Sequence, residues 1–346
     1  MASVETDPEE SSVIGGGIVT RKEFIPVVVL VLGVLTVGPS TEAQPKTTRV
    51  GYLEFGSAAP GTPHLEAFRR GLREHGWIDG QNMVIEVRYA EGRQDRLPEL
   101  AADLVRLKVD IIFASTTPSA LAAKQATTTI PIVIGFVADP VGSGLVPRLA
   151  RPGGNITGWT HLAGVELNAK RLEILKEAVP EAARIAALWN PANPIHGPSL
   201  KVIEAAARRL KVQLHAMAVR DPQNLQGAFS AMTQERVQAL TVPPDGMFLA
   251  HQARIIDLAA THRIPAMYGV RELAGAGGLM AYGVNLPEMY SHGAFFVDRI
   301  LKGAKPGDLP VEQPTKFELI INLTTAKALG LRIPQSLLIR ADQLID

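Results

Sequence analysis

The chain has 346 residues, 46% hydrophobic and 20% charged, an ordinary balance for a globular protein of about two domains. It contains no cysteine, which excludes disulfides, thiolate catalysis, cysteine-ligated zinc, iron–sulfur clusters and a lipid-modified N-terminal cysteine. The formal net charge of +1 gives no indication of nucleic-acid binding.

The N-terminal residues carry the pattern of an export signal. Arg21 and Lys22 precede an uncharged apolar run over residues 24–38, and small residues follow before a cleavage site at Gln44. The run is shorter than the roughly 20 residues of a comfortable membrane span, although a retained anchor is the alternative. The basic pair resembles a twin-arginine motif with lysine in second place. We therefore predict that residues 1–43 are a leader and that the mature protein, with 33 basic and 28 acidic residues, is periplasmic.

Beyond the leader, strand and helix patterns alternate in two sets. The first set predicts strands at 48–55, 82–90, 110–115 and 130–136, with helices at 63–77, 96–109 and 118–127. After a long helix at about 164–178, the second set predicts strands at 184–190, 212–219, 239–244, 264–269 and 278–284, with helices at 197–210, 222–236, 248–262 and 287–302. Continuous β-branched runs between helices indicate parallel sheets covered on both faces. The predicted fold class is α/β, with two doubly wound lobes.

Ligands of such sheets bind beyond the carboxyl ends of the strands, so the residues that follow each strand were compared. They are rich in Ser, Thr, Asn, Asp and Gly and poor in His, Glu and Lys. These side chains form hydrogen bonds but transfer protons poorly near neutral pH. The histidines show no metal spacing, and the glycine-rich segment at 275–283 precedes a strand instead of joining a strand to a helix. We predict neither a metal nor a cofactor.

The segment from Ser115 to Pro118 joins a buried strand to an alanine-rich helix through three hydroxyl residues. Thr117 before Pro118 predicts an N-cap followed by proline at the first helical position. The hydroxyls and free amides of that turn suit an anion. Capping alone and a nucleophile are the alternatives, the latter disfavoured because no G-x-S-x-G motif is present.

Four stretches carry a family resemblance: "GLREHGWIDGQNMVIEVRYAEGRQDRLPELAADLVRLKVDII", "ADPVGSGLVPRLARPGGNITG", "KRLEILKEAVPEAARIAALWNP" and "INLTTAKALGLRIPQSLLIRADQLI". With them the mature chain resembles bacterial ABC-transporter substrate-binding proteins of the type I periplasmic-binding fold, the group that includes tryptophan and aromatic-amino-acid receptors. The resemblance implies a three-stranded hinge with crossovers near 158–161, 283–286 and 312–317. The lobes implied are 44–160 plus 286–315 and 161–285 plus 316–346.

The resemblance also implies ligand contacts at the strand ends of both lobes. Thr116 and Thr117 match a loop that receives a carboxylate, and Asp139 matches either an amine contact or a helix cap. The full set is Ser57, Thr116, Thr117, Asp139, Asn190, Asp245 and Tyr282. No flat platform for an aromatic ligand is evident; the residues that would substitute, or would belong to the core, are Phe55, Phe136 and Trp189.

The predicted function is therefore capture of a small carboxylate-bearing solute, an amino acid among the candidates, and its delivery to an ABC permease in the inner membrane. The protein is predicted to be a monomer and not an enzyme. A periplasmic sensor that docks on a membrane receptor is the first alternative, and an α/β hydrolase-type enzyme is the second, disfavoured by the absence of a paired acid and base.

Overall fold

The computed structural model describes residues 15–16, 47–57, 63–161 and 164–346. Apart from Gly15 and Gly16, the predicted leader lies outside these ranges, so export stays a prediction. Across the ranges described, none of the helices has both the length and the apolar character that crossing a membrane requires.

The first sheet contains five parallel strands in the order β2-β1-β3-β4-β5. Most of its residues are β-branched or aromatic and are buried on both faces. The strands are β1 (Thr48–Glu54), β2 (Met83–Tyr89), β3 (Ile111–Thr116), β4 (Ile132–Val137) and β5 (Ile156–Thr160).

Four helices cover the first sheet, and one of them comes from far along the chain. The sheet's own helices are α1 (Pro63–Glu74), α2 (Leu97–Arg106) and α3 (Thr117–Ala126). The fourth covering helix (Leu286–Leu301) packs against α1 so closely that a Cβ at Gly71 would lie 2.3 Å from the Ser291 carbonyl oxygen.

The second sheet contains seven strands in the order β12-β11-β10-β9-β8-β6-β7, all parallel except for the antiparallel pair β10 and β11. The strands are β6 (Arg184–Trp189), β7 (Gln213–Ala218), β8 (Ala239–Val242), β9 (Ala266–Val270), β10 (Met280–Val284), β11 (Glu318–Asn322) and β12 (Gln343–Ile345). The doubly wound α/β fold class is confirmed.

The remaining helices lie between β5 and β12 along the chain, and one of them, α10, is the fourth covering helix of the first sheet. They are α4 (Leu167–Ala178), α5 (His196–Leu210), α6 (Leu225–Gln234), α7 (Gly246–Ala250), α8 (Gln252–Thr261), α9 (Glu272–Gly275), α10 (Leu286–Leu301), α11 (Leu323–Leu329) and α12 (Gln335–Arg340). Short 3₁₀ turns occupy Gln94–Arg96, Pro222–Asn224 and Pro306–Asp308.

The chain passes between the sheets three times. It leaves the first sheet after Thr160, returns at Asn285 between β10 and α10, and leaves again between Glu312 and β11. These passages fall where crossovers were predicted. The lobe boundaries, and hinge motion at these points, stay predictions.

Three strands were not predicted. The segment that contains β5 was interpreted as a turn because of its glycines, and Gly158 there has a φ of +134° and packs against the Ile134 backbone, so that a Cβ would lie 2.3 Å from the Ile134 oxygen. The strands β11 and β12 are short and lie beyond the last recognised strand–helix alternation.

Candidate functional site

The carboxyl ends of the two sheets meet in direct contact. A Cβ at Gly246, which follows β8, would lie 3.1 Å from Thr116 Cγ2 and 3.7 Å from the Phe55 ring. On the same side, a Cβ at Gly92 would lie 3.0 Å from His251 Nε2. The two sheets are therefore closed against each other at the ends where ligands of doubly wound sheets bind.

The three hydroxyl residues after β3 have different roles. Thr116, in extended conformation, is the N-cap of α3: its Oγ1 accepts from Ser119 N at 3.4 Å and lies 3.0 Å from Ser119 Oγ. The prediction of Thr117 as N-cap was wrong by one residue, because β3 continues through Thr116. Thr117 Oγ1 accepts from Ala138 N at 3.4 Å. Both threonines are buried at the contact, and their role as an anion cradle stays a prediction.

Asp245 and Asn190 lie together in a buried polar group after β8 and β6. Asp245 Oδ1 accepts from Met247 N at 2.8 Å and caps α7. Its Oδ2 accepts from Asn193 Nδ2 at 2.8 Å and lies 3.4 Å from Asn190 Nδ2 and 3.5 Å from His196 Nε2. This carboxylate is supplied with donors by its own lobe.

The other three predicted residues are not brought together with that group. Asp139 Oδ1 accepts from Gly142 N at 2.8 Å and from Val141 N at 3.2 Å within a turn, and no helix begins there, so neither predicted role of Asp139 is tested. Ser57 is exposed after β1. Tyr282 packs against the second sheet's core with its ring 6.2 Å from that of Phe317.

The sequence analysis did not identify Arg171 of α4, a buried cation. The Arg171 guanidinium is 1% exposed and donates to three neutral oxygens, Tyr282 O at 2.7 Å, Asn168 Oδ1 at 2.7 Å and Gly269 O at 3.3 Å. Both carbonyls lie where the register between β9 and β10 shifts. Burial lowers the pKa of Arg171 to about 9. The signal was available, because Arg171 occupies the apolar stripe of α4 with Leu172 and Leu175.

His161, which follows β5, lies close to this cation. Its ring stacks on Phe136 at 3.9 Å, and neither ring nitrogen has a hydrogen-bond partner. Burial, followed by the positive charge of Arg171 and by His196, lowers the pKa of His161 well below its usual value. His161 is therefore neutral, and one of its nitrogens is an unused donor.

A second missed group is acidic. Glu54, at the end of β1, is 6% exposed and accepts from Ser115 Oγ at 3.0 Å, Gly56 N at 3.1 Å and the Tyr52 hydroxyl at 3.2 Å. Glu272 begins α9 and accepts from Leu286 N at 3.1 Å through Oε1. A glutamate at the end of an otherwise apolar buried strand is unusual and was the available signal for Glu54.

Two cavities open beside the contact. The larger, about 800 Å³, lies between residues 91–95 of the first lobe and 220–223 of the second, with Phe55 and Asn190 in its wall. The smaller, about 250 Å³, contains Asp139 in its wall. Among the residues that the structure describes, no three His, Asp or Glu side chains are placed to hold a metal ion.

Comparison with known proteins gives a consistent result. The family model described as "ABC transporter substrate binding protein" matches residues 63–345. A tyrosine-binding protein of Clostridioides difficile is 28% identical over 268 residues, which are 77% of this chain and 76% of that protein.

Two solved structures extend the comparison. An ABC domain from Streptococcus pneumonia in complex with L-Trp has 26% identity and a TM-score of 0.79, covering 86% of this chain and 100% of its own. A ligand-free, open substrate-binding protein with adhesive properties from Clostridium difficile has 25% identity and a TM-score of 0.62, covering 86% and 99%.

Proposed function

Because the chain belongs to the ABC transporter substrate-binding protein family, we propose that it captures an amino acid between its two sheets and delivers it to an ABC permease. Aromatic amino acids are the first candidates. The family consists of solute-binding proteins, so the chain is not an enzyme and the hydrolase-type alternative is set aside.

The observation that carries the proposal is a junction that buries charges of both signs without counter-ions. Arg171 is bonded only to neutral oxygens, and Glu54 only to neutral donors. No ion pair involves either residue within the described ranges. Burying an unpaired charge is costly, and a bound ligand of opposite charge would offset that cost. A zwitterion supplies one charge to each.

The similar proteins favour an aromatic amino acid. One is named as a tyrosine-binding protein and one was solved with L-Trp. At nearly equal identity, this chain superposes better on the L-Trp complex, with a TM-score of 0.79, than on the ligand-free open structure, with 0.62. This difference agrees with the closed contact between Gly246 and Thr116.

On this proposal the solute carboxylate lies on the side of Arg171 and His161. Thr116 and Thr117, at the first-lobe ends beside the contact, are further candidate donors, as the sequence predicts. The unused nitrogen of His161 adds a neutral donor. A carboxylate held by a guanidinium and hydroxyl donors forms charge-assisted hydrogen bonds, which are about twice as strong as neutral ones.

The test is calorimetric titration of purified residues 44–346 with L-tryptophan, L-tyrosine and L-phenylalanine, with ribose as a solute of another class. We expect saturable binding of at least one amino acid and a higher melting temperature in its presence, because a ligand of the folded state stabilises it. Binding of ribose but of no amino acid would refute the proposal.

Location and partner need a separate experiment. The leader pattern supports export, and we expect the full-length protein to be processed near Gln44 and released by osmotic shock. Uptake of the bound amino acid should fall when the gene is deleted. Retention of residues 24–38 in a membrane fraction would contradict the processing, and unchanged uptake would contradict the transport role.

A further inference from the structure

We propose that Glu54 of the first lobe and Glu272 of the second bind the ammonium group of the solute between them, with the Tyr290 hydroxyl as a third oxygen. This assignment rests on the proposed function, which it deepens by requiring a free amine on the solute. None of the three residues was among the predicted contacts, and each lies on a different element: β1, α9 and α10.

Among the residues that the structure describes, Glu54 forms no ion pair. Its three bonds come from a serine hydroxyl, a tyrosine hydroxyl and a backbone amide. His64 interacts electrostatically with Glu54, and its ring stacks on Tyr290 with centroids 4.6 Å apart. Burial lowers the pKa of His64, so it is neutral near pH 7 and leaves the charge of Glu54 unbalanced.

Glu272 reaches the same region from the second sheet. Its Oε1 accepts from Leu286 N, at the start of α10, and its Oε2 is buried with no hydrogen-bond partner. The adjacent cation, Arg271, is already bonded to Glu318 and to Gln343 Oε1. Glu272 therefore has one oxygen, Oε2, that receives no hydrogen bond from the described residues.

Tyr290 links the two carboxylates. It lies one turn after Leu286 on the same face of α10, and the Leu286 amide donates to Glu272. The ring also packs 5.7 Å from Phe113 of the first sheet. Tyr290 is 1% exposed and its hydroxyl has no hydrogen-bond partner; Ser115 beside it donates its proton to Glu54.

The charge of both glutamates reaches this hydroxyl. After burial, the largest cause, the negative charges of Glu54 and Glu272 contribute to raising the pKa of Tyr290 well above its usual value. Glu272 Oε2 and the Tyr290 hydroxyl have no hydrogen-bond partner, and the cation nearby, Arg271, is bonded to Glu318 and Gln343. An ammonium group brings three N–H donors and a positive charge, and it fits this set better than a neutral or anionic group.

The experiment removes the amine from the ligand and, separately, the carboxylate charge from the protein. Wild type is titrated with L-tyrosine and with 3-(4-hydroxyphenyl)propionate, which keeps the ring and the carboxylate but lacks the amine. L-Tryptophan and 3-(indol-3-yl)propionate form a second pair. The variants are Glu54→Gln and Glu272→Gln, with the exposed Glu181→Gln as the matched control, and melting temperatures check folding.

We expect the deaminated analogues to bind wild type at least roughly tenfold more weakly than the amino acids, and each site variant to lose at least roughly tenfold in affinity for the amino acid. Glu181→Gln should bind as wild type does. Equal binding of an amino acid and its deaminated analogue would overturn the assignment, and so would unchanged affinity in both site variants. The analogue comparison needs no variant and holds even where a variant fails to fold. If wild type binds no amino acid, including L-phenylalanine, the proposed function itself fails.

Discussion

Three acidic side chains near the contact between the sheets differ in which groups hydrogen-bond to them. Asp245 receives donors from Met247 N, Phe248 N and Asn193, all within the second lobe. Glu54 and Glu272 belong to different lobes, and Glu272 keeps a buried oxygen without a partner. A carboxylate completed by its own lobe stabilises that lobe, whereas one left incomplete between lobes is available to a solute. All three side chains are carboxylates, and only their hydrogen-bond partners distinguish a stabilising role from solute binding.

The largest expected effect concerns Asp245, whose carboxylate is hydrogen-bonded within its own lobe. Asp245→Ala removes the cap of α7, worth about 1 kcal/mol, and leaves Asn193 without an acceptor, at about 1–3 kcal/mol. We expect the free energy of unfolding to fall by about 3 kcal/mol in urea denaturation. Asp139→Ala, which removes a half-buried acceptor of two turn amides, is the control and should cost about 1 kcal/mol or less. A loss of solute affinity at unchanged stability would instead make Asp245 a ligand residue, as the sequence predicted.

The next effect concerns Glu272 and pH. Burial raises the pKa of Glu272 from 4.5 to about 7, with Arg271 opposing and Glu318 adding to the rise. Between these pH values the folded state binds more protons than the unfolded state, so stability falls as pH rises from about 4.5 to 7. The total is at most about 3 kcal/mol. Urea denaturation at pH 5 and pH 8 should show this loss in wild type, and Glu272→Gln should be flatter. Identical pH profiles would contradict the prediction.

A smaller effect separates capping from solute contact in the hydroxyl segment. Thr116→Val with Thr117→Val removes the cap of α3 and the acceptor for Ala138 N, each worth about 1 kcal/mol. We expect the free energy of unfolding to fall by about 2 kcal/mol and the affinity for L-tyrosine to fall about tenfold or more, measured by denaturation and calorimetry. An unchanged affinity would leave these threonines as helix caps only.

The smallest expected effect tests the contact between the lobes. Gly246→Ala would place a Cβ 3.1 Å from Thr116 Cγ2, so the closed arrangement must open by a few tenths of an ångström. Alanine is a better helix former than glycine, so the unliganded stability should not fall. We expect about a threefold loss of solute affinity, equivalent to about 0.7 kcal/mol, from calorimetry. Equal affinity would show that this contact is absent from the bound state.

Much of the fold was predictable because buried strands and helices have distinct periods. The central strands of both sheets read as continuous apolar runs, and their order along the chain followed from alternation with helices. The strand β5 was missed because Gly158 adopts a positive φ that a glycine-rich turn would also use. The short strands β11 and β12 carry too few residues for a period to be visible.

The candidate site was less predictable, because its residues are brought together by the three passages between lobes. Asn190 and Asp245 were predicted from their position after strands, and they do lie together, but in a group that satisfies itself. Glu54 and Glu272 are separated by most of the chain, and no local pattern pairs them. Arg171 lies on a helix, outside the strand ends where the search was made.

The late position of α10 in the chain has a consequence for biosynthesis. This helix covers the face of the first sheet that carries Phe113, against which Gly293 packs so closely that a Cβ would lie 2.5 Å away. The ribosome completes β1 to β5 first, yet that apolar face stays uncovered until the second sheet has been made through β10. The first lobe therefore cannot complete its packing until most of the chain has been synthesised.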